Sequence, residues 1–409
     1  MDDRVAPPGS AHHRITQYLA GLAPVSGIPL RVALWNGMQH DLGPQPRVTV
    51  HLPDPAALRY FVPPSLDNLA EGYVNGHFDV LGKAADIVEA ATSLATHGVP
   101  MRGRFGRLFS ALRHDRGQDA HAIAHHYDVS NDFYRLWLDE AMVYSCAYFP
   151  TRTESLAAAQ SAKLDHILNK LMLKPGERLL DIGCGWGALV LRAAQQYGAQ
   201  CVGVTLSKNQ YELARERVHA AGLQDRIQIR LQDYRDVSDG PFDRITSVGM
   251  FEHVGLDHLA SYFGHIRRLL KPDGWVMNHG ITSTDACDGE TRHGGGHFID
   301  RYVFPRGELP HIGTVLRTLQ EGGLEAFDVE NLRRHYQRTT QLWSEAFEAN
   351  TARIKPLLDE KRWRIWRIYL AGCALAFEND EVALYQVLCR PAGQGTKGLP
   401  WSRNWMYGA

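Results

Sequence analysis

With 409 residues the chain can bury a large core, and two domains are the working expectation. Its 44 Lys and Arg against 45 Asp and Glu leave a net charge of -1, which excludes a global pull toward nucleic acid and leaves any membrane attraction to local patches. Six cysteines, Cys146, Cys184, Cys201, Cys287, Cys373 and Cys389, are scattered without a C-x-x-C pair, so reduced thiols in a cytoplasmic enzyme fit better than disulfides or zinc, and no metal is expected.

The opening residues carry two prolines, a glycine and two aspartates before any pattern begins and read as a frayed terminus. They show no signal-like basic start and apolar run, and no stretch reaches the ~18 consecutive apolar residues of a spanning helix, so a soluble protein able to rest on a membrane is expected. From Leu30 to about Leu94 the period-two segments LRVALWNG and RVTVHL, then LAEGYVNGHFDV and helical ADIVEAATSLATHG, read as a small α+β unit. Arg102 to Gln118 follows as an arginine-rich connector or a basic face for anionic lipid. His125 to Pro150 is dense in aromatic and polar side chains.

From Ser155 strands and helices alternate: a helix to about Leu171, strand RLLDIG, helix ALVLRAAQQYG, strand QCVGVTL, helix NQYELARERVHAAG, strands IQIRLQDY and FDRITSVG, helix LASYFGHIRRLL, strand GWVMNHGIT. This is the rhythm of an α/β, doubly wound, Rossmann-like parallel sheet. A Trp/Arg-rich helix, RWRIWRIYLAGCALAF, either covers that sheet or lies at a lipid interface, and LYQVLCR reads as a further strand. The expected division is an N-terminal α+β domain with linker over 1–118, a catalytic domain over 119–393 and a tail over 394–409.

In open α/β sheets ligands gather at the carboxyl ends of the strands. The first of these strands runs into Asp181, Gly183, Gly185 and Gly187 and then a helix. Glycines let the backbone turn and approach a ligand, and the helix start offers unpaired N–H groups. The G-x-G-x-G spacing behind an aspartate is not the G-x-G-x-x-G of dinucleotide folds. It is similar to class I methyltransferases, and points to S-adenosylmethionine. Thr205, Ser207 and Gln210 after the second strand can hydrogen-bond a ribose. Gln232 and Asp233 end the third, where the aspartate can either accept from an adenine amine or cap the next turn. Glu252 and His253 sit together after the fourth, and His279 ends the next. Tyr144, Ser145 and Cys146 lie upstream, and nothing around Cys146 marks it as a thiolate nucleophile.

HHYDVSNDFY, YSCAYF, LDIGCGWG, VGVTLSKNQ, LQDYRD, SVGMFEHVG, NHGIT, RYVFPRGELP and LYQV occur in this order, and together they resemble the cyclopropane-fatty-acid synthase family, which includes the mycolic acid cyclopropane synthases. The resemblance runs from about residue 30 to 390. It implies a methyltransferase sheet with Tyr144, Ser145, Asp181, the three glycines, Thr205, Ser207, Gln210, Gln232 and Asp233 around S-adenosylmethionine. It also implies that a cis double bond of an acyl chain attacks the sulfonium methyl, and that bound bicarbonate deprotonates the resulting cation so that the ring closes. Cys146, Glu252, His279, the Ile281 backbone and Tyr336 would surround that bicarbonate. Tyr127, Tyr144, Phe149, Phe251, Tyr302 and Tyr336 are candidates for aromatic faces toward the cation. Unsaturated phospholipid chains at the inner membrane surface, a homodimer and no nucleic-acid partner are the implied associations. Arginines and histidine around Tyr336, and the glycine-rich loop TDACDGETRHGGGHFID, depart from the family pattern and bear on the carrier of the acyl chain. Methyl addition without ring closure and small-molecule N-methylation are the enzymatic alternatives, and a lipid-binding protein without turnover is the non-enzymatic one.

Overall fold

The computed structural model describes residues 28–62, 64–98, 129–286, 296–304, 307–396 and 399–407. The opening residues, the connector Arg102–Gln118, Tyr127, Cys287 and the first two residues of the triple glycine, Gly294 and Gly295, lie outside this range. The described chain forms two compact units.

The first unit draws its described residues from 28–98, 296–303 and 347–375. Strands β1 (Leu30–Ala33), β2 (Gln39–Asp41), β3 (Val48–His51) and β4 (Asp79–Leu81) form a sheet in the order β2-β1-β3-β4, in which β1 and β3 are parallel. Ser65 caps the helix Leu66–Val74 by accepting from Asn68 N.

The Trp/Arg-rich helix spans Glu360–Glu378, and its residues up to 375 belong to this first unit. Two of its arginines are engaged within this unit. Arg364 donates to the carbonyls of Tyr73 (3.0 Å) and Phe78 (3.2 Å) and pairs with Asp79, while Arg367 donates to Glu348, to the Tyr73 hydroxyl and to the Gly82 carbonyl. Trp363, Trp366 and Tyr369 are buried. The basic and aromatic spacing is therefore that of arginines satisfying the backbone around β4.

The second unit holds a seven-stranded sheet in the order β10-β11-β9-β8-β5-β6-β7, built from β5 (Arg178–Ile182), β6 (Gln200–Thr205), β7 (Ile227–Leu231), β8 (Phe242–Val248), β9 (Leu270–Ser283), β10 (Leu324–Asn331) and β11 (Val382–Pro391). β5 to β9 are mutually parallel, and β11 runs antiparallel between β9 and β10. Side chains alternate across β5. Leu179 packs with the helices Leu156–Lys170, Ala188–Tyr197 and Lys208–Ala220, whereas Leu180 and Ile182 pack with Leu259–Leu269 and Ile312–Glu321 on the other face. Each fully buried Leu or Ile contributes roughly 1.5–3 kcal/mol to this sandwich. The stretch expected as a separate tail closes onto the same core: Met406, in the turn Asn404–Tyr407, is buried among Leu164, Ile167 and Leu168.

Candidate active site

At the carboxyl end of β5, Gly183, Gly185 and Gly187 all adopt positive φ (77°, 54° and 84°), backbone that a side chain would strain. A Cβ on Gly183 would lie 2.6 Å from Met250, but one on Gly185 would meet nothing within 4 Å. The protein leaves open space in front of Gly185. Asp181 lies beneath, 3% exposed, and its Oδ1 accepts from the Thr246 hydroxyl at 2.7 Å. Burial pushes its carboxyl up to about 6, against the pull of Thr246 and Lys163. That residual affinity for charge compensation suits a cationic ammonium or sulfonium ligand.

Thr205, Ser207 and Gln210 are buried and bonded to one another: Thr205 donates to Gln210 Oε1 (2.8 Å) and accepts from Ser207 N, and Ser207 Oγ caps the following helix through Gln210 N. They shape the turn after β6. Gln232 donates to the Asp236 carbonyl. Asp233 caps the turn Tyr234–Asp236, and both its oxygens are held by the Arg235 guanidinium (2.9 and 2.7 Å), so an adenine amine would share an already engaged carboxylate.

The lead-in segment folds over the glycine loop. Trp186 Nε1 donates to Asn131 Oδ1 (2.8 Å), and Arg217 donates to the carbonyls of Trp186 and Ala141. The Tyr144 ring sits 5.3 Å from Trp137 and 5.1 Å from Trp343. Ser145 accepts from Lys163 Nζ at 2.7 Å through its hydroxyl and from Gln160 through its carbonyl. Burial lowers Lys163 to about 8.

Beside this lies a second polar group in an apolar wall. Cys146, Leu332, Phe377, Val382 and Leu384 form a buried cluster against which Ile281 and Tyr336 pack. Burial pushes the Cys146 thiol far up, so it is a neutral donor, reaching the Leu332 carbonyl at 3.8 Å. Glu252, in the turn Phe251–His253, accepts from Ile281 N through Oε1 at 2.7 Å, while its buried Oε2 has no partner. Burial raises this carboxyl to about 7, opposed by the Ile281 N–H. His279, two residues before Ile281 on β9 and on the same face, has its Nδ1 bonded to Gln386 and its buried Nε2 unpartnered. Burial, followed by the charges of Lys163 and Lys170, holds it well below the usual imidazole range, hence neutral.

A family profile described as mycolic acid cyclopropane synthetase matches residues 114–387. The chain belongs to this family. A relative from Pseudomonas putida, named "Probable fatty acid methyltransferase", is 44% identical over 93% of this chain and 96% of its own. The Escherichia coli cyclopropane-fatty-acyl-phospholipid synthase is 41% identical over 64% of this chain and 66% of its own. The structure of a mycolic acid cyclopropane synthase complexed with SAH and CTAB is 37% identical, with a TM-score of 0.62 over 66% of this chain and 97% of that one. A profile of unknown function covers residues 18–99. The chain is thus an S-adenosylmethionine-dependent methyltransferase of the cyclopropane synthetase family with the α/β fold the sequence implied.

In this member of the cyclopropane synthetase family the five residues expected around the base divide simply. Cys146, Ile281 and Tyr336 share one cluster, Glu252 is bonded to the Ile281 backbone, and His279 lies on the same strand face. Of the aromatic candidates, Tyr144 and Tyr336 lie at the site, linked through Trp343. Phe149 and Phe251 are core, and Tyr302 belongs to the first unit. Sequence reasoning missed Lys163, Lys170, Glu330 and Gln386. The available signal was the helix Leu156–Lys170, where Gln160, Lys163 and Lys170 fall on the face that carries Leu164 and Ile167, polar side chains on a buried stripe.

Proposed function

We propose that the enzyme transfers the methyl carbon of S-adenosylmethionine to a cis double bond in the acyl chain of a phospholipid, and closes a cyclopropane ring with bicarbonate as the base. The alkene electron pair forms the new C–C bond as the C–S bond breaks, which leaves positive charge on the neighbouring chain carbon. Loss of a proton from the added methyl lets its electrons close the ring. The observation that supports this reading is the pair of buried, unpartnered atoms, Glu252 Oε2 and His279 Nε2, in an otherwise apolar wall. Two buried polar atoms left unsatisfied, one an acceptor and one a ring N–H, match an anion that carries one proton.

Bicarbonate held there supplies a weak base within the apolar site. Glu252 accepts a hydrogen bond from the hydroxyl of that anion, and His279 Nε2–H and the Tyr336 hydroxyl orient its oxygens. Tyr144 and Tyr336 offer aromatic faces to the developing cation, and the apolar wall keeps out water that would trap it as an alcohol. A second reading is favoured by the Pseudomonas putida relative named for fatty acid methylation, which matches nearly the whole chain. In that reading a hydride shifts from the methyl-bearing carbon to the cationic one, the added methyl then loses its proton to the base, and a methylene branch results, which a separate hydride donor would have to reduce to give a saturated methyl branch.

Lipid mass spectrometry tests both readings. Purified protein is mixed with S-adenosylmethionine and vesicles of a cis-monounsaturated phospholipid, with and without bicarbonate. A bicarbonate-stimulated gain of one CH2 that resists hydrogenation establishes ring formation, a hydrogenation-sensitive gain establishes the branch, and no gain with cofactor bound refutes the phospholipid substrate.

A further inference from the structure

Behind His279 lies a row of buried polar groups that the proposed chemistry does not use. In register across three adjacent strands, His279 on β9 stands opposite Gln386 on β11, and Gln386 opposite Glu330 on β10. Lys170, at the end of the helix Leu156–Lys170, reaches this row. Its Nζ donates to Gln386 Oε1 at 2.8 Å and to Glu330 Oε2, which also accepts from His166 Nε2 at 2.8 Å. Gln386 Nε2 lies 3.2 Å from His279 Nδ1. His279, Gln386 and Lys170 are each at most 1% exposed, so no solvent competes for these bonds.

The direction of the chain of bonds follows from Lys170. An ammonium only donates, so the Gln386 amide must turn its oxygen to Lys170 and its NH2 to His279. A ring nitrogen facing an NH2 group has to accept, so Nδ1 is bare and the ring proton sits on Nε2. That atom is the unpartnered one at the site.

We propose that Lys170 and Gln386 are positioning residues that set the tautomer of His279, so that its buried, unpartnered Nε2 carries the proton and is a hydrogen-bond donor for an anion. Glu330 anchors the row: burial pulls its carboxyl up, but His166 and Lys170 hold it at about 2, so it remains an anionic partner for the lysine. Glutamate in place of Gln386 would keep the shape and the bond to Lys170, yet present only acceptors to His279 and draw the proton to Nδ1. The inference deepens the proposed function, and rests on it for the identity of the anion but not for the tautomer.

The test is long-range 1H–15N correlation on the full chain labelled in its histidine rings, with the His279 signals identified by their loss in His279→Gln. Wild type should show a pyridine-like Nδ1 and a protonated Nε2. Gln386→Glu should reverse this or protonate both nitrogens, and Lys170→Met, which frees the amide to turn, should populate both tautomers. A wild-type Nδ1–H, or a tautomer unchanged in Gln386→Glu, overturns the proposal. Since the readout needs no turnover, a correct tautomer with no bicarbonate-stimulated product would sink the proposed function and leave this inference standing. Turnover measured beside it should fall at least tenfold in Gln386→Glu with the Kd for S-adenosylmethionine unchanged.

Discussion

Glu252→Gln separates what the active-site carboxyl costs the fold from what it does in catalysis. The folded carboxyl sits at about 7 against an ordinary 4.5 because it is buried with only the Ile281 N–H as partner. Below about pH 4.5 it is protonated in both folded and unfolded chains and costs nothing. As pH rises toward 7 the unfolded carboxyl ionises while the folded one resists, and stability falls by about 1.4 kcal/mol per pH unit. Above 7 the loss is complete, at ~3 kcal/mol. The substituted amide would keep an acceptor for Ile281 N and has no charge to bury. Urea unfolding of the full chain, in bicarbonate-free buffer from pH 5 to 8, should therefore show the variant gaining on wild type as pH rises, with the difference levelling near pH 7. The same variant should bind S-adenosylmethionine and form no cyclopropane. Stability curves that stay parallel across this range would refute the isolated buried carboxyl, and normal turnover would refute its part in holding the base.

Other substitutions probe the supports of the site. Gly185→Ala meets open space but a left-handed backbone, so it should cost about 1–2 kcal/mol of stability while S-adenosylmethionine affinity by calorimetry falls at least tenfold. Gly280→Ala places a Cβ 2.4 Å from the buried Phe251 ring, and should cost about 1–3 kcal/mol and displace the neighbouring Glu252, seen as a lower Tm with lost turnover. Cofactor affinity should rise with pH through about 6 as Asp181 ionises, and Thr246→Val, which removes its hydrogen bond, should move that midpoint upward in a calorimetric pH series. Arg364→Ala leaves the carbonyls of Tyr73 and Phe78 without their donor, and should destabilise the first unit by about 2–3 kcal/mol in thermal unfolding with the cofactor Kd unchanged.

The parallel strands were legible because β5, β6 and β8 are short segments bounded by glycine or proline and alternating with helical ones, and the spacing of Asp181, Gly183, Gly185 and Gly187 marked the turn after β5 directly. β10 escaped notice because the alternation of LEAFDVEN breaks at Ala326–Phe327, where the pairing with β11 shifts register, and most of the strand is only half-buried or exposed. Its importance lies in register: it places Glu330 opposite Gln386, a relation between residues 56 positions apart that no local pattern encodes. The Trp/Arg-rich helix was legible as a helix but not in its location, since arginines that grip backbone carbonyls and arginines that reach lipid share one composition. Glu252 and His279 were visible as strand-end residues. That their outward atoms are the unpartnered ones required the Ile281 and Gln386 bonds.

The late position of β11 has a consequence for biosynthesis. It is inserted between β9 and β10, yet β9 ends at Ser283 and β11 begins only at Val382. At roughly 5–20 residues per second, a ribosome leaves the nearly fully buried β9 with a bare edge for on the order of ten seconds. An apolar strand edge exposed for that long can template pairing with another nascent chain. The yield of active enzyme in a cell should therefore depend on chaperone capacity and translation speed between these two strands more than on the stability of the finished protein.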